Sequence, residues 1–237
     1  EHRTGATREQ GIERKHGNIH PDSFKRTMEP VRVATDCSGL DTPILALRRM
    51  GIAHRHVFSS DIVKYVRKHL RANVDTDVVI YEDLLARDNE QAGAADFYIA
   101  GFPCQPFSTA GRKRGMADPR GSVFDGCARY IDTHRPKVFA LENVRGLLST
   151  NKGRDFAYVL KKLKGIGDRP GAYSIVHKVL NTDDYGVPQN RPRLYIVGLR
   201  RDAIAQTFKF PRKQPRISME AILDPPGTDT GRQPALN

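Results

Sequence analysis

Short apolar runs alternate with helix-type patterns along most of the chain. The pattern predicts helices over Thr42–Met50, Ile62–Ala72 and Ser122–Ile131, and strands over Val31–Cys37, Val57–Ser60, Val78–Tyr81, Phe97–Ala100 and Val138–Leu141. Strands that are separated by helices need crossover connections, which are typical of a parallel sheet. The sequence therefore predicts an α/β fold, with a mostly parallel sheet and helices on both faces.

The first helix has the clearest end signals. Thr42 offers a hydroxyl N-cap, Pro43 occupies the first helical position, and Gly51 lies just beyond the predicted end. A fourth helix, which is amphipathic, is predicted over residues 155–164. In the predicted Ser122–Ile131 helix, Cys127 falls on the apolar face and is expected in the core.

Changes in composition and in apolar periodicity divide the chain into three regions. Residues 1–30 have few apolar members and no periodicity, so they are expected to form a disordered lead-in. Residues 31–201 carry the predicted domain, whose last strands, Tyr173–Leu180 and Arg193–Leu199, are joined by a single turn-rich connection and could pair antiparallel. Residues 202–237 form a basic, Pro-rich tail.

Composition and charge narrow the class of protein. The 237 residues hold 39 Lys and Arg against 27 Asp and Glu, a net charge of +12, so a polyanion is the first partner to consider. A generic basic protein is the alternative. No apolar run is long enough for a membrane span or a signal peptide, which predicts an intracellular protein, nuclear if the source is eukaryotic. Three cysteines are too few for a disulfide framework or zinc site, and no metal site is expected.

Carboxylates follow the second and third apolar runs. In an open α/β sheet, ligands bind beyond the carboxyl ends of the strands, where Asp61 and Asp83 are expected to lie. An ionised carboxylate accepts hydrogen bonds only, which suits a ribose diol and an exocyclic amine. The pair therefore indicates a nucleoside-bearing cofactor. The alternative is that both residues are ordinary helix caps.

The sharpest chemical signal is Cys104. Pro103 and Pro106 flank it, fix the backbone and exclude a helix or central strand, so the thiol belongs to a rigid loop. A rigidly presented thiolate could attack a ring carbon such as C6 of cytosine. Glu142, which follows the Val138–Leu141 run, could be the protonated acid that donates to ring N3. The alternative for Cys104 is a buried, inert side chain.

Three long motifs carry a family resemblance. The segments GFPCQPFSTAGRKRGMADPRGSVF (101–124), PKVFALENVRGLL (136–148) and NTDDYGVPQNRPRLYIVGLR (181–200) resemble the cytosine-C5 DNA methyltransferases in order and spacing. The resemblance covers residues 31–201. It implies a Rossmann-like, S-adenosylmethionine-dependent methyltransferase fold and methyl transfer to C5 of a cytosine rotated out of duplex DNA.

The resemblance also implies roles for individual residues. Cys104 resembles the nucleophile, Glu142 the residue that binds and protonates cytosine N3, and Arg193 the partner of the cytosine carbonyl oxygen and of Glu142. Arg191 and Gln189 lie beside Arg193 in the motif. Asn143, the next residue of the Glu-Asn-Val motif, would hold the cysteine loop together.

For the cofactor, the resemblance implies S-adenosylmethionine. Asp61 would bind the ribose and Asp83 the adenine amino group. The apolar residues implied around the adenine and the methionine moiety are Ile62, Val123, Phe102 and Pro103. The first motif departs from the family pattern: where Phe-x-Gly-x-Gly-Gly is usual, this chain has Cys37, Ser38, Gly39, Leu40, Asp41 and Thr42. We therefore expect weaker cofactor binding.

Basic residues cluster in two places. Residues 189–216 hold eight Lys and Arg and one acid, and residues 112–114 read Arg-Lys-Arg directly after the cysteine loop. Both clusters are expected to contact DNA phosphates, and solvated surface charge is the alternative.

Two elements of the family pattern are not found in the sequence. A variable target-recognition domain and a final Gly-Asn motif would normally follow the 181–200 segment. A missing segment or a partner would then supply target recognition. DNA is the expected substrate, transfer RNA is the runner-up, and an idle nucleic-acid-binding module is the third alternative.

Overall fold

The computed structural model describes residues 29–103, 122–168, 171–204 and 206–223. Within these ranges the strands are β1 (Val31–Asp36), β2 (His54–Ser60), β3 (Val79–Tyr81), β4 (Phe97–Ala100), β5 (Val138–Val144), β6 (Tyr173–Asn181) and β7 (Pro192–Arg200). The α-helices are α1 (Thr42–Arg49), α2 (Lys64–Asn73), α3 (Ser122–His134) and α4 (Arg154–Lys164). Short 3-10 turns lie at Arg145–Leu148, Thr150–Gly153, Thr182–Tyr185 and Met219–Ala221.

The seven strands form one mixed sheet in the order β3-β2-β1-β4-β5-β7-β6. Strands β1 to β5 pair in parallel, whereas β7 is antiparallel to both β5 and β6. The predicted α/β fold with a mostly parallel sheet is confirmed, and so is the antiparallel pairing of the last two strands. The strand order reverses between β1 and β4, which is where an open sheet of this type binds its ligands.

Aromatic side chains fill the core on the sheet. The largest fully buried ones include Tyr98, Tyr130, Phe58 and Phe139. Phe139 lies directly opposite Gly198 on β7, and a Cβ on that glycine would come within 2.1 Å of the Phe139 ring. Cys127 is fully buried in this core, as its place on the helix predicts, and burial raises the pKa of its thiol to about 12. Its thiol is therefore inert.

Two sequence predictions about element ends are wrong. Thr42 is not the N-cap of α1: it is the first helical residue, and Asp41 occupies the cap position with a left-handed backbone at φ 54°. Strand β5 does not end at Leu141 but continues to Val144, because Glu142 and Asn143 keep their ladder pairing with β7. Both polar residues therefore project from a strand.

A buried ion pair ties the start of the sheet to a loop. Asp36, at the end of β1, accepts two hydrogen bonds from Arg87, at 2.8 and 2.9 Å, and both side chains are essentially inaccessible to solvent. Tyr98 and Ser60 also donate to the Asp36 carboxylate. The Arg87 guanidinium lies 4.6 Å from the centre of the Phe58 ring. This network holds β1, β2 and β4 to the loop that follows β3.

Replacing Arg87 with methionine is expected to lower the free energy of unfolding by about 3–5 kcal/mol, because it leaves the Asp36 carboxylate buried without a counter-charge. Urea unfolding followed by circular dichroism measures the effect. The matched control is Arg48→Met, whose partner Asp75 is exposed and 4.0 Å away, so that its loss is expected to cost no more than about 1 kcal/mol. Equal stabilities for the two variants would contradict the prediction.

Candidate active site

A cavity of about 600 Å³ opens at the carboxyl ends of the parallel strands. It collects residues that are far apart in sequence, because parallel strands end at the same edge of the sheet. Its lining among the described residues consists of Cys37, Ser60, Asp61, Ile62, Glu82, Asp83, Leu84, Leu85, Gly101, Phe102, Pro103, Val123, Glu142, Arg191 and Arg193.

Two of the carboxylates in the cavity belong to tight turns. Asp61 accepts from the backbone N–H of Val63 at 2.9 Å and from that of Gly39 at 3.1 Å, and Asp83 accepts from Leu85 N–H at 2.8 Å. A carboxylate has about four lone-pair sites, so each retains capacity for a ligand. Neither residue is a helix cap, because Val63 occupies the N-cap of α2 and a turn rather than an α-helix follows Asp83. The ribose and adenine roles stay predictions.

Apolar side chains form the other walls of the cavity. Ile62 is 64% exposed although it is a large hydrophobic residue, whereas Phe102 is 2% exposed and its ring packs 5.4 Å from that of Phe124. Leu84 and Val123 complete this part of the lining. An exposed isoleucine that faces a cavity beside carboxylates suits a flat, partly polar ring such as a nucleobase.

Glu142 and Arg193 meet at the far side of the cavity. Arg193 Nε lies 2.8 Å from Glu142 Oε1, because Arg193 on β7 pairs with Val144, two residues along β5 from Glu142 on the same face. Burial raises the pKa of Glu142, and the nearby Arg193 and Arg191 oppose that shift only in part. The second carboxylate oxygen, Oε2, faces Gly101. The carboxyl group is thus oriented at one oxygen, and burial makes its ionised form less favourable than it is in water.

Asn143 points to the opposite side of β5 and is 1% exposed. Its Nδ2 donates to the carbonyl of Phe102 at 3.2 Å, and its Oδ1 accepts from the N–H of Val144 at 2.8 Å. The side chain therefore fixes the end of the segment that runs into residue 104. That contact fits the loop-holding role implied by the sequence, which stays a prediction.

Several expected site residues do not line the cavity. Ser38 and Gly39 approach it only through hydrogen bonds to Ser60 and Asp61, and Leu40 is 60% exposed beside α1. Gln189 is exposed, and its carbonyl accepts a hydrogen bond from Thr182. The predicted nucleophile Cys104 and the basic residues 112–114 lie outside the described residues.

Arg67 is a residue of the site that sequence reasoning missed. Its buried guanidinium donates to the carbonyls of Asp61 and Ile62, at 2.9 and 2.7 Å, and forms an ion pair of 2.9 Å with Glu82. It therefore joins the ends of β2 and β3 beneath the cavity. The one sign of this role in the sequence is the spacing of three residues between Arg67 and Leu70, which places both on the buried face of α2.

Acidic residues from outside the basic segment 189–216 neutralise part of its positive charge in the folded structure. Lys213 lies 2.9 Å from Asp184, and Arg216 pairs with both Asp183 and Asp184 at 3.1 and 3.2 Å. Both acids precede residues 189–216 in the chain. Arg191 and Arg193 remain as the positive charges that face the cavity.

A protein-family model described as C-5 cytosine-specific DNA methylase matches residues 36–231 of the chain. The chain belongs to this family. Members with similar sequences include the Type II methyltransferase M.NgoBI of Neisseria gonorrhoeae, which is 40% identical over 179 residues, covering 76% of this chain and 53% of that protein. The Type II methyltransferase M.BsuFI of Bacillus subtilis is 34% identical over 181 residues, covering 74% and 42%. The chain spans about half the length of these curated relatives.

Solved structures agree on the fold of this family member. A crystal structure of S. pombe Dnmt2 methyltransferase superposes with a TM-score of 0.57 at 17% identity, covering 76% of this chain and 52% of that one. A protein described as a candidate DNA modification methyltransferase from an E. coli prophage gives 0.59 at 20% identity, with coverages of 73% and 47%. The Rossmann-like methyltransferase fold implied by the sequence is confirmed.

Within residues 29–103, 122–168, 171–204 and 206–223, no group of three or more His, Cys, Asp or Glu is arranged to hold a metal ion. In the same part of the chain, no helix is both long and apolar enough to cross a membrane.

Proposed function

We propose that the protein is a DNA (cytosine-5-)-methyltransferase that uses S-adenosylmethionine. The observation that carries the proposal is the Glu142–Arg193 ion pair of 2.8 Å, which faces the same cavity as Asp61 and Asp83 in a chain of this family. An acid with a raised pKa opposite a nucleoside-type pocket is an arrangement that can bind a cytosine ring and supply a proton to it.

The hydrogen-bond acceptors and apolar walls of the cavity fit the proposed cofactor. The carboxylates of Asp61 and Asp83 would accept from the ribose hydroxyls and the adenine amino group, and Ile62 and Val123 would contact the adenine ring. Phe102 and Pro103 would border the methionine moiety. When bound, S-adenosylmethionine supplies an electrophilic methyl group on a positively charged sulfur.

The proposed reaction uses a covalent bond to the protein. The target cytosine leaves the duplex, since its C5 and C6 atoms are stacked within it. The Cys104 thiolate adds to C6 and electron density moves towards N3, where protonated Glu142 donates. C5 would take the methyl group, with a neutral thioether as the departing group. A base would then remove the C5 proton, and the Cys104–C6 bond would break with its electron pair returning to sulfur, as the proton returned from N3 to Glu142. Arg193 would hold both Glu142 and the cytosine carbonyl oxygen, with Arg191 and Gln189 beside it.

Duplex DNA is the proposed substrate, with transfer RNA as the alternative. The positive charges of Arg191 and Arg193 at the cavity favour a polyanion of either kind. Selection of a target sequence would come from a further segment or a partner.

The test is covalent trapping by 5-fluorocytosine. The chain and S-adenosylmethionine are incubated with DNA or, separately, transfer RNA that contains this base, and products are separated under denaturing conditions. A base cannot remove fluorine from C5 as it removes a proton, so elimination stops and the Cys104–C6 bond persists. A trapped DNA complex that needs the cofactor is expected. Trapping on RNA alone would establish the alternative substrate, and trapping on neither would show an idle nucleic-acid-binding module.

A further inference from the structure

The loop between β1 and α1 has an unusual backbone. Three alternate residues, Cys37, Gly39 and Asp41, have left-handed conformations with φ of 51°, 54° and 54°. Cysteine pays a steric cost there, whereas aspartate tolerates the region better. Backbone of this kind persists only where surrounding contacts determine it. The loop, defined as residues 37–42, therefore needs something that holds it.

The side chain of Asp41 provides that contact. The side chain is 6% exposed, and its carboxylate accepts from Thr35 Oγ1 at 2.8 Å and from Ser59 Oγ at 2.5 Å. His56 Nε2 lies 2.8 Å from Ser59 Oγ and 3.4 Å from Asp41 Oδ2. Burial lowers the pKa of His56. Because Ser59 gives its one hydroxyl proton to Asp41, Nε2 of the imidazole is the donor to Ser59 Oγ. We call these four residues the Asp41 cluster.

The cluster continues into the cofactor side of the cavity. Thr35 Oγ1 lies 2.7 Å from Ser38 Oγ. Ser38 N–H donates to the Ser60 carbonyl at 2.9 Å, and Ser38 Oγ accepts from the Ser60 N–H at 3.0 Å. The next residue, Gly39, donates its N–H to Asp61 Oδ2 at 3.1 Å. Hydrogen bonds, together with the peptide link between Ser38 and Gly39, thus connect the buried Asp41 carboxylate to the carboxylate proposed to bind ribose.

We propose that Asp41 is a positioning residue for S-adenosylmethionine. Its buried carboxylate fixes loop 37–42 against β1 and β2, so that Cys37 keeps its place in the cavity wall and Asp61 keeps its orientation. The inference rests on the proposed function. It also accounts for a motif in which glycines are expected: the aspartate keeps the left-handed backbone and adds side-chain contacts that a glycine could not make.

The variants Asp41→Gly, Asp41→Asn and Ser59→Ala separate this role from others. Glycine permits the backbone but removes the carboxylate. Asparagine keeps the shape, the tolerance of positive φ and one acceptor oxygen, and its amide nitrogen can donate to a hydroxyl that rotates to accept. Ser59→Ala removes a donor to Asp41 without changing the loop backbone. The matched control is Asp75→Gly, since the Asp75 side chain is 79% exposed.

Two measurements on the whole chain are compared: the Kd for S-adenosylmethionine by calorimetry, and hydrogen exchange of the Ser38 and Gly39 amides without ligand. Because a buried partner is lost, Asp41→Gly and Ser59→Ala are expected to raise Kd about tenfold and to speed amide exchange by a similar factor. Asp41→Asn should stay within about threefold of wild type, and Asp75→Gly should match wild type.

The outcomes distinguish the two levels of proposal. Unchanged exchange and unchanged Kd in both Asp41→Gly and Ser59→Ala would overturn the inference while leaving the proposed function intact. Faster exchange with an unchanged Kd would also overturn it, since the cluster would then be purely structural. A wild-type chain that does not bind S-adenosylmethionine would overturn the proposed function itself.

Discussion

Replacing Cys104 with serine is expected to abolish methyl transfer, a loss of more than roughly 10³-fold in kcat, because a nucleophile that bonds to substrate is removed from the reaction. A serine hydroxyl is a far weaker nucleophile than a thiolate at neutral pH. Transfer of tritiated methyl groups from S-adenosylmethionine to DNA measures the rate.

The serine variant should retain cofactor binding, since no step of binding uses the thiolate. Its Kd for S-adenosylmethionine and its thermal midpoint are expected to equal those of wild type, and it should form no adduct with 5-fluorocytosine DNA. Methylation at the wild-type rate would remove Cys104 from the mechanism. Neither of the other cysteines is a credible substitute, because burial raises the pKa of both Cys37 and Cys127.

Replacing Glu142 with glutamine is expected to lower kcat by about 10²–10⁴-fold, the usual contribution of a positioned general acid. The amide keeps the size of the carboxyl group and can still accept from Arg193, but it cannot release a proton to cytosine N3. Single-turnover methylation with saturating DNA and cofactor isolates this step from binding.

The control for this variant is Glu90→Gln, an exposed carboxylate outside the cavity, which should leave kcat unchanged. Glu142→Gln should also melt at the wild-type temperature, since Glu142 is only part-buried, with its side chain 31% exposed. A kcat within about threefold of wild type would show that Glu142 contributes less than general acid–base catalysis normally does.

The strand ends account for what the sequence predicted of the cavity. The alternation of apolar runs with helix-type patterns places Asp61, Asp83 and Glu142 at the carboxyl edge of a parallel sheet. The structure brings these three residues into one cavity. No local pattern marks Arg87, whose partner Asp36 lies 51 residues away, or shows that Arg67 on α2 would reach three strand-end residues. Pairing over such distances depends on how the elements pack.

At the N-terminus of α1, a local sequence pattern predicts the wrong cap residue. Thr42 matches the usual cap preference, yet Asp41 occupies the position without capping through its side chain. The Asp41 carboxylate instead turns inwards to Thr35 and Ser59. Local helix preference is worth about 1 kcal/mol, so a buried polar cluster can override it.

The reversed direction of β7 determines the path of the chain beyond it. Because β7 begins at the cavity edge, it ends about 30 Å away, given nine residues at roughly 3.3 Å each. The chain then returns: Gln214 N–H donates to the carbonyl of Asp184, in the turn between β6 and β7. Roughly ten extended residues suffice for that distance. The chain after Arg216 therefore starts at the edge of the sheet where substrate would approach. Ion pairs of Arg216 with Asp183 and Asp184 hold it there.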